Sequence, residues 1–136
     1  RIKSPRKIYI VDNGYIAAKS ARTSPDRGKL LENLVFTELI KQGKAPNTDF
    51  FYYKTRNGRE VDFVMRENLH ISELMQVSYE ISSIETRQRE IKSLIEAQEE
   101  LHAQTLKIIT WDEEKEVKKG GTTITFEPIL RWLFQT

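Results

Sequence analysis

Two short runs carry the side chains best suited to chemistry: Gly58-Arg59-Glu60-Val61-Asp62-Phe63-Val64 and Glu73-Leu74-Met75-Gln76-Val77-Ser78-Tyr79. Both read as strands, so an acid, Asp62, stands on one strand and a polar pair, Gln76 and Ser78, on the next. A second acid, Glu32, follows Gly28 at Gly-x-x-x-Glu spacing. Acids on rigid neighbouring elements suit metal-dependent phosphodiester hydrolysis, which needs phosphate charge neutralised, a water oriented and a leaving alkoxide stabilised. Mg²⁺ takes hard oxygen ligands and keeps several waters, so one or two carboxylates suffice. Asp62 is the first candidate ligand. Glu32, the amide oxygen of Gln76 and the main-chain carbonyl of Val77 are the others.

The elements that must position these groups follow from periodicity. Lys7-Ile8-Tyr9-Ile10-Val11 reads as a strand stopped by Asp12-Asn13-Gly14, and Tyr15 to Ala21 as one or two helical turns. Residues 22–28 read as a loop. Leu31, Leu34, Val35 and Leu39 then give a helix from Lys29 to Gln42, closed by Gly43. Phe50 to Thr55 and Glu60 to Met65 are strands joined through Asn57-Gly58, a two-residue hairpin signal. Simple alternation puts Val61, Phe63 and Met65 on one face of the second strand and Glu60, Asp62 and Val64 on the other. Glu73 to Tyr79 is a third strand. Ser82 with Glu85 forms a capping box for a helix ending near Ala103, and strands follow at Leu106–Trp111 and Thr122–Phe126. A short helix opening at Pro128 ends the chain. The expected class is α/β or α+β, with a central mixed sheet flanked by helices.

The helix acid, the hairpin strand Glu-Val-Asp-Phe-Val and the following Gln-Val-Ser-Tyr resemble the PD-(D/E)XK restriction-endonuclease-like superfamily. More narrowly, the chain is similar to the C-terminal domain of unknown function of archaeal and bacterial AAA-type ATPases. The likeness runs from Lys7-Ile8-Tyr9-Ile10-Val11 through Leu106-Lys107-Ile108-Ile109-Thr110-Trp111 to Arg131-Trp132-Leu133-Phe134. It implies that Glu32 is the helix acid, Asp62 the metal-binding acid, Gln76 the second acid position and Ser78 the lysine position, with Mg²⁺ as cofactor if the site is active. It also implies that ATPase and winged-helix domains of a longer parent protein are partners, although no phosphate-binding Gly-x-x-x-x-Gly-Lys-Ser/Thr loop occurs in the chain. Gln76 removes a charge from the metal position. Ser78 matters more, because a hydroxyl supplies no cation to the transition state. The expectation is therefore a catalytically degenerate nuclease-fold module that interacts with nucleic acid or protein. The rivals are an active Mg²⁺-dependent endonuclease with a relocated cation, Lys54 or Arg59, and a purely protein-binding domain.

At 136 residues and 38% hydrophobic, the chain fits a single domain, with residues 1–27 leading into its core. It lacks cysteine, a membrane-length apolar run and a signal-peptide core, so a cytoplasmic location is expected. The absent initiator Met suggests a piece of a longer protein. Residues 1–66 carry 14 Lys/Arg against 7 Asp/Glu, and residues 67–136 carry 8 against 13. The basic half suits phosphate backbones, with Lys54, Arg56 and Arg59 on the hairpin as candidate DNA contacts. The same split equally describes two ordinary solvated surfaces. Other residues also have plain structural readings: Asp62 as an acid paired with Arg59 or main-chain donors, Trp111 and Trp132 as core aromatics, His70 and His102 as solvated. Glu38 lies amid the apolar helix face and competes with Glu32 for the site role. Tyr79, beside Ser78, is placed to line a cleft.

Overall fold

Leu31, Val35 and Leu39 recur at the spacing that lines one stripe of a helix. In the computed structural model, which describes Lys7 and residues 24–135, they are the buried side of α1 (Ser24–Lys41). This helix starts at Ser24 rather than Lys29. Pro25 falls in the first turn, where a missing N–H loses no intrahelical bond, so it opens the helix instead of extending a loop. Gly43 closes it at φ 87, with Lys44 N–H donating to Leu39 O at 3.0 Å. Apart from Lys7, the strand and helical turns expected between Lys7 and Ala21 lie outside the described residues.

Six strands, β1 (Phe50–Lys54), β2 (Glu60–Glu67), β3 (His70–Ser78), β4 (Thr105–Thr110), β5 (Lys115–Lys119) and β6 (Thr122–Pro128), form one sheet in the order β1-β2-β3-β4-β6-β5. β1, β2 and β3 are antiparallel neighbours. β3 pairs parallel with β4, and β4 with β6, while β5 runs antiparallel along the edge. The parallel step from β3 to β4 needs a crossover, supplied by α2 (Ile84–Leu101). β5 was not expected, since Lys-Glu-Val-Lys-Lys has one apolar residue among charges. An edge strand tolerates that composition, because lysines there discourage pairing with other chains.

α2 covers one face of the sheet, packing Ile91, Leu94 and Ala97 against Val61, Val64, Leu74 and Ile108. On the other face α1 and α3 (Ile129–Leu133) bring Leu31, Val35, Leu39, Ile129 and Trp132 against Phe50, Phe63, Met75 and Ile109. The result is the expected mixed sheet flanked by helices. No described helix is long and apolar enough to cross a membrane. The cap of α2 is Ser83, whose side chain accepts from Thr86 N–H, rather than Ser82, whose hydroxyl donates to Glu80 Oε1 at 3.0 Å.

Two local departures in the β1–β2 hairpin shape the site. Of Asn57 and Gly58, only Gly58 has positive φ, at 84°. Thr55 N–H donates to Arg59 O at 2.8 Å, so the turn is a three-residue loop with a left-handed glycine rather than a two-residue one. Farther along, Phe51 faces Val64 while Tyr53 faces Val61, so Asp62 and Phe63 together oppose Tyr52. This is a β-bulge, and it breaks the simple alternation. Val61 and Val64 therefore share the α2 side, while Phe63 joins the α1 cluster.

Candidate functional site

The bulge turns Asp62, like Phe63, toward α1, where Glu32 projects from the helix. Between the two acids stands Lys7. Its Nζ is 2.9 Å from Asp62 Oδ1 and 3.3 Å from each carboxylate oxygen of Glu32. The group is partly buried, with side chains 25%, 15% and 23% exposed for Lys7, Asp62 and Glu32. Burial works against the ammonium, yet the neighbouring carboxylates of Asp62 and Glu32 outweigh it and hold the Lys7 pKa above its ordinary value. Lys7 also lies over the Tyr52 ring, 4.6 Å from its centroid. Tyr52 in turn donates its phenol to Glu60, and burial together with that carboxylate raises its pKa.

Asp62 is fixed from the other side by β3. Its Oδ2 accepts the Val77 N–H at 2.8 Å, so it is the amide of Val77 that meets the acid. The β2–β3 ladder ends at Phe63 and Met75. Beyond that point the Gln76 side chain stands in for a backbone partner. Its Oε1 accepts from Asp62 N–H at 3.0 Å and its Nε2 donates to Glu60 O at 2.8 Å. Gln76 is only 2% exposed, and both ends of its amide hold the bulge in place. A carboxylate could not do the same, having no donor for the Glu60 carbonyl.

Glu32 and Asp62, 30 positions apart in the sequence, are thus brought together as expected, but the expectation that no ammonium accompanies them fails at Lys7. Among the described residues, the ammonium that pairs with both acids is that of Lys7, and neither Lys54 nor Arg59 pairs with them. Lys54 stays exposed on β1 opposite Glu60, and Arg59 directs Nε to Glu96 of α2 at 3.6 Å. Asp62 accordingly pairs with Lys7 rather than Arg59. Arg56 stays at the hairpin tip, where its N–H donates to Glu100 Oε2 at 3.2 Å. Ser78, at the position where the resemblance places a lysine, donates to Glu80 O at 3.3 Å. Glu38 lines a separate cleft with Gln42, Glu73 and Trp132, away from Lys7.

One acid was missed. Glu90 of α2 is largely buried, and burial raises its pKa to about 7; the Asp62 charge adds to the rise, Arg89 and Lys7 oppose it, and Glu32 adds a smaller push. Its signal was the helical spacing to Leu94 and Ala97, which puts a carboxyl on the buried stripe. For a divalent cation, the donor set is two hard carboxylates within reach of one cation position, which fits a Mg²⁺ that keeps most of its waters. No group of three or more His, Cys, Asp or Glu arranged around a metal position occurs among the described residues.

Residues 27–130 match the family model described as domain of unknown function DUF4143. A relative from Methanocaldococcus jannaschii, "Uncharacterized protein MJ1544", is 40% identical over 111 residues, taking in 79% of this chain and 24% of that protein. The chain thus spans about a quarter of that relative's length. Among solved structures, a chain of the "refined half-complex from tetradecameric assembly of Thermococcus gammatolerans McrB AAA+ hexamers with bound McrC" matches with TM-score 0.50 and 12% identity, over 74% of this chain and 27% of that one. That likeness is one of fold. With the family model extending over most of α1, the whole sheet and α2, the chain belongs to the DUF4143 family.

Proposed function

We propose that this chain is the nuclease-fold module of a larger ATPase-containing protein and hydrolyses nucleic-acid phosphodiesters, with Lys7 supplying the cation that Ser78 cannot. The observation that carries this reading is the Lys7 ammonium 2.9 Å from Asp62 and 3.3 Å from Glu32. Asp62 and Glu32 are the residues to hold Mg²⁺, which when bound neutralises phosphate charge and activates water. Val77 N–H and the Gln76 amide keep the Asp62 carboxylate and its strand fixed, so little reorganisation is needed when charge develops. With Asp62 and Glu32 holding the metal, Lys7 would be the donor available to a phosphate oxygen.

A longer parent is supported by the relative about four times longer than the matched segment, and an ATPase setting by the fold shared with a chain of an AAA+ assembly. The restriction-endonuclease-like superfamily is supported by the helix acid, the bulged Asp62 strand and the mixed sheet taken together. The test is cleavage of labelled DNA and RNA by the purified chain with Mg²⁺ or Mn²⁺, alongside Asp62→Ala and Lys7→Ala. Metal-dependent cleavage lost in both variants supports the reading.

A second reading has its own observation. Lys7 is already paired with both acids, which suits a module that binds without cutting. Retention of DNA at about 50 mM salt with no cleavage selects it, and absence of both binding and cleavage points to a protein-binding domain instead.

A further inference from the structure

Tyr79 directly follows β3 and Trp111 directly follows β4, and because Ser78 and Thr110 are in register on these parallel strands, the two rings emerge side by side. They stack with centroids 5.3 Å apart and planes 26° from parallel. Arg27 of α1 sets its guanidinium 5.7 Å from the Tyr79 ring centroid. Trp111 nevertheless stays 47% exposed, whereas Trp132 is 7% exposed. Stacking favours the pair beyond its buried area, which explains the pairing but not an indole left about half in water. The rings border a cleft of about 290 Å³ at the carboxyl ends of β3 and β4, the place where open sheets with parallel strands take ligands.

The position relative to Lys7 gives the cleft its meaning. Tyr79 is two residues beyond Val77, whose amide holds Asp62, a separation of about 7 Å along an extended chain. Tyr79 and Val77 both pack on the α1 side of the sheet, the side from which Glu32 and Arg27 reach in. Charge divides the surface. Arg27 and Lys7 attract phosphate, whereas Glu80 and Asp112 line the cleft together with Glu113, which is already paired with Arg87 and Lys115. A group that stacks, carries no charge and hydrogen-bonds through amino groups to the carboxylates of Glu80 and Asp112 fits that cleft.

We propose that Tyr79 and Trp111 are the stacking platform for one unpaired nucleobase of a single-stranded nucleic acid whose backbone passes Arg27 and Lys7. This rests on the phosphodiester reading of the Lys7 site and specifies its substrate as single-stranded. Aromatic side chains bind single strands because every base has a π-face, and bases with an exocyclic amine gain the carboxylate rim.

Intrinsic fluorescence reads the platform, since Trp111 is exposed and Trp132 is not. The chain is titrated with single-stranded oligodeoxyadenylate, oligodeoxythymidylate and a duplex of the same length at about 50 mM salt. Expected are quenching of the native chain by single strands, stronger for the adenylate, and, by fluorescence polarisation of end-labelled oligonucleotides with native chain and variants alike, affinity reduced roughly 5- to 100-fold in Trp111→Leu and regained in Trp111→Phe. Metal-dependent cleavage is followed in parallel. Cleavage by the native chain with unchanged single-strand affinity in Trp111→Leu overturns the platform and leaves the phosphodiester site standing. Quenching and Trp111-dependent binding without cleavage uphold the platform and reject hydrolysis. A native chain that neither binds single strands nor cleaves overturns both.

Discussion

Lys7 Nζ and Asp62 Oδ1 are 2.9 Å apart although 55 positions separate the residues in sequence, and the same ammonium reaches Glu32. Removing it leaves two carboxylates facing one another in a partly buried space. Lys7→Ala is expected to lower unfolding free energy by about 1.5–3 kcal/mol, the worth of hydrogen bonds to charged groups. In an Asp62→Asn background the same change should cost clearly less, and urea unfolding of the four proteins in this cycle measures the coupling. Equal costs in both backgrounds would show that the pair contributes nothing.

If Lys7 acts on the transition state, its loss is expressed in rate more than in stability. Lys7→Ala should reduce metal-dependent cleavage by about 10²–10³, the size of one lost electrostatic donor. Single-turnover measurements on folded variant check this, and a loss below fivefold removes Lys7 from the chemistry.

Gln76 is expected to resist exchange for the acid that the superfamily resemblance places there. Gln76→Glu loses the donor to Glu60 O and adds a charge beside Asp62, leaving a buried acceptor unpaired at about 1–3 kcal/mol. Protonating the new carboxyl restores a donor, so the loss in Tm should be larger at pH 8 than at pH 5. A more stable variant at pH 8 would mean that the amide is not holding the bulge.

Glu90 makes stability depend on pH. Its pKa rises from 4.5 to about 7, so the folded state holds a proton that the unfolded chain has released. Relative to Glu90→Gln, wild-type stability should therefore be intact below about pH 4.5, fall as pH rises to about 7, and stay level above it, by up to about 3 kcal/mol in total. Parallel denaturation curves from pH 4 to 8 check this; a difference that does not change with pH would place Glu90 in water.

Much of the fold was legible because hydrophobic period survives in the local sequence. Leu31, Val35 and Leu39 marked α1, the apolar β2 and β3 runs marked the sheet centre, and Ile91 and Leu94 marked α2. What failed locally was decided by neighbours. The Ser83 cap differs from Ser82 by one residue of register, and the Lys-rich β5 is a strand only because β6 offers it an edge.

The sequence by itself determined a mixed sheet between helices and two acids, Glu32 and Asp62, on elements that pack together. Periodicity encodes which face of an element is buried, and it does so within a few residues of chain. The tertiary structure alone decided that Asp62 sits on a bulge, that Gln76 binds the backbone freed there, that Glu90 stands close enough to feel both acids, and that Lys7 pairs with both of them. Charge pairing depends on distance in space, and no pattern within one strand records what a residue 55 positions away will bring to it.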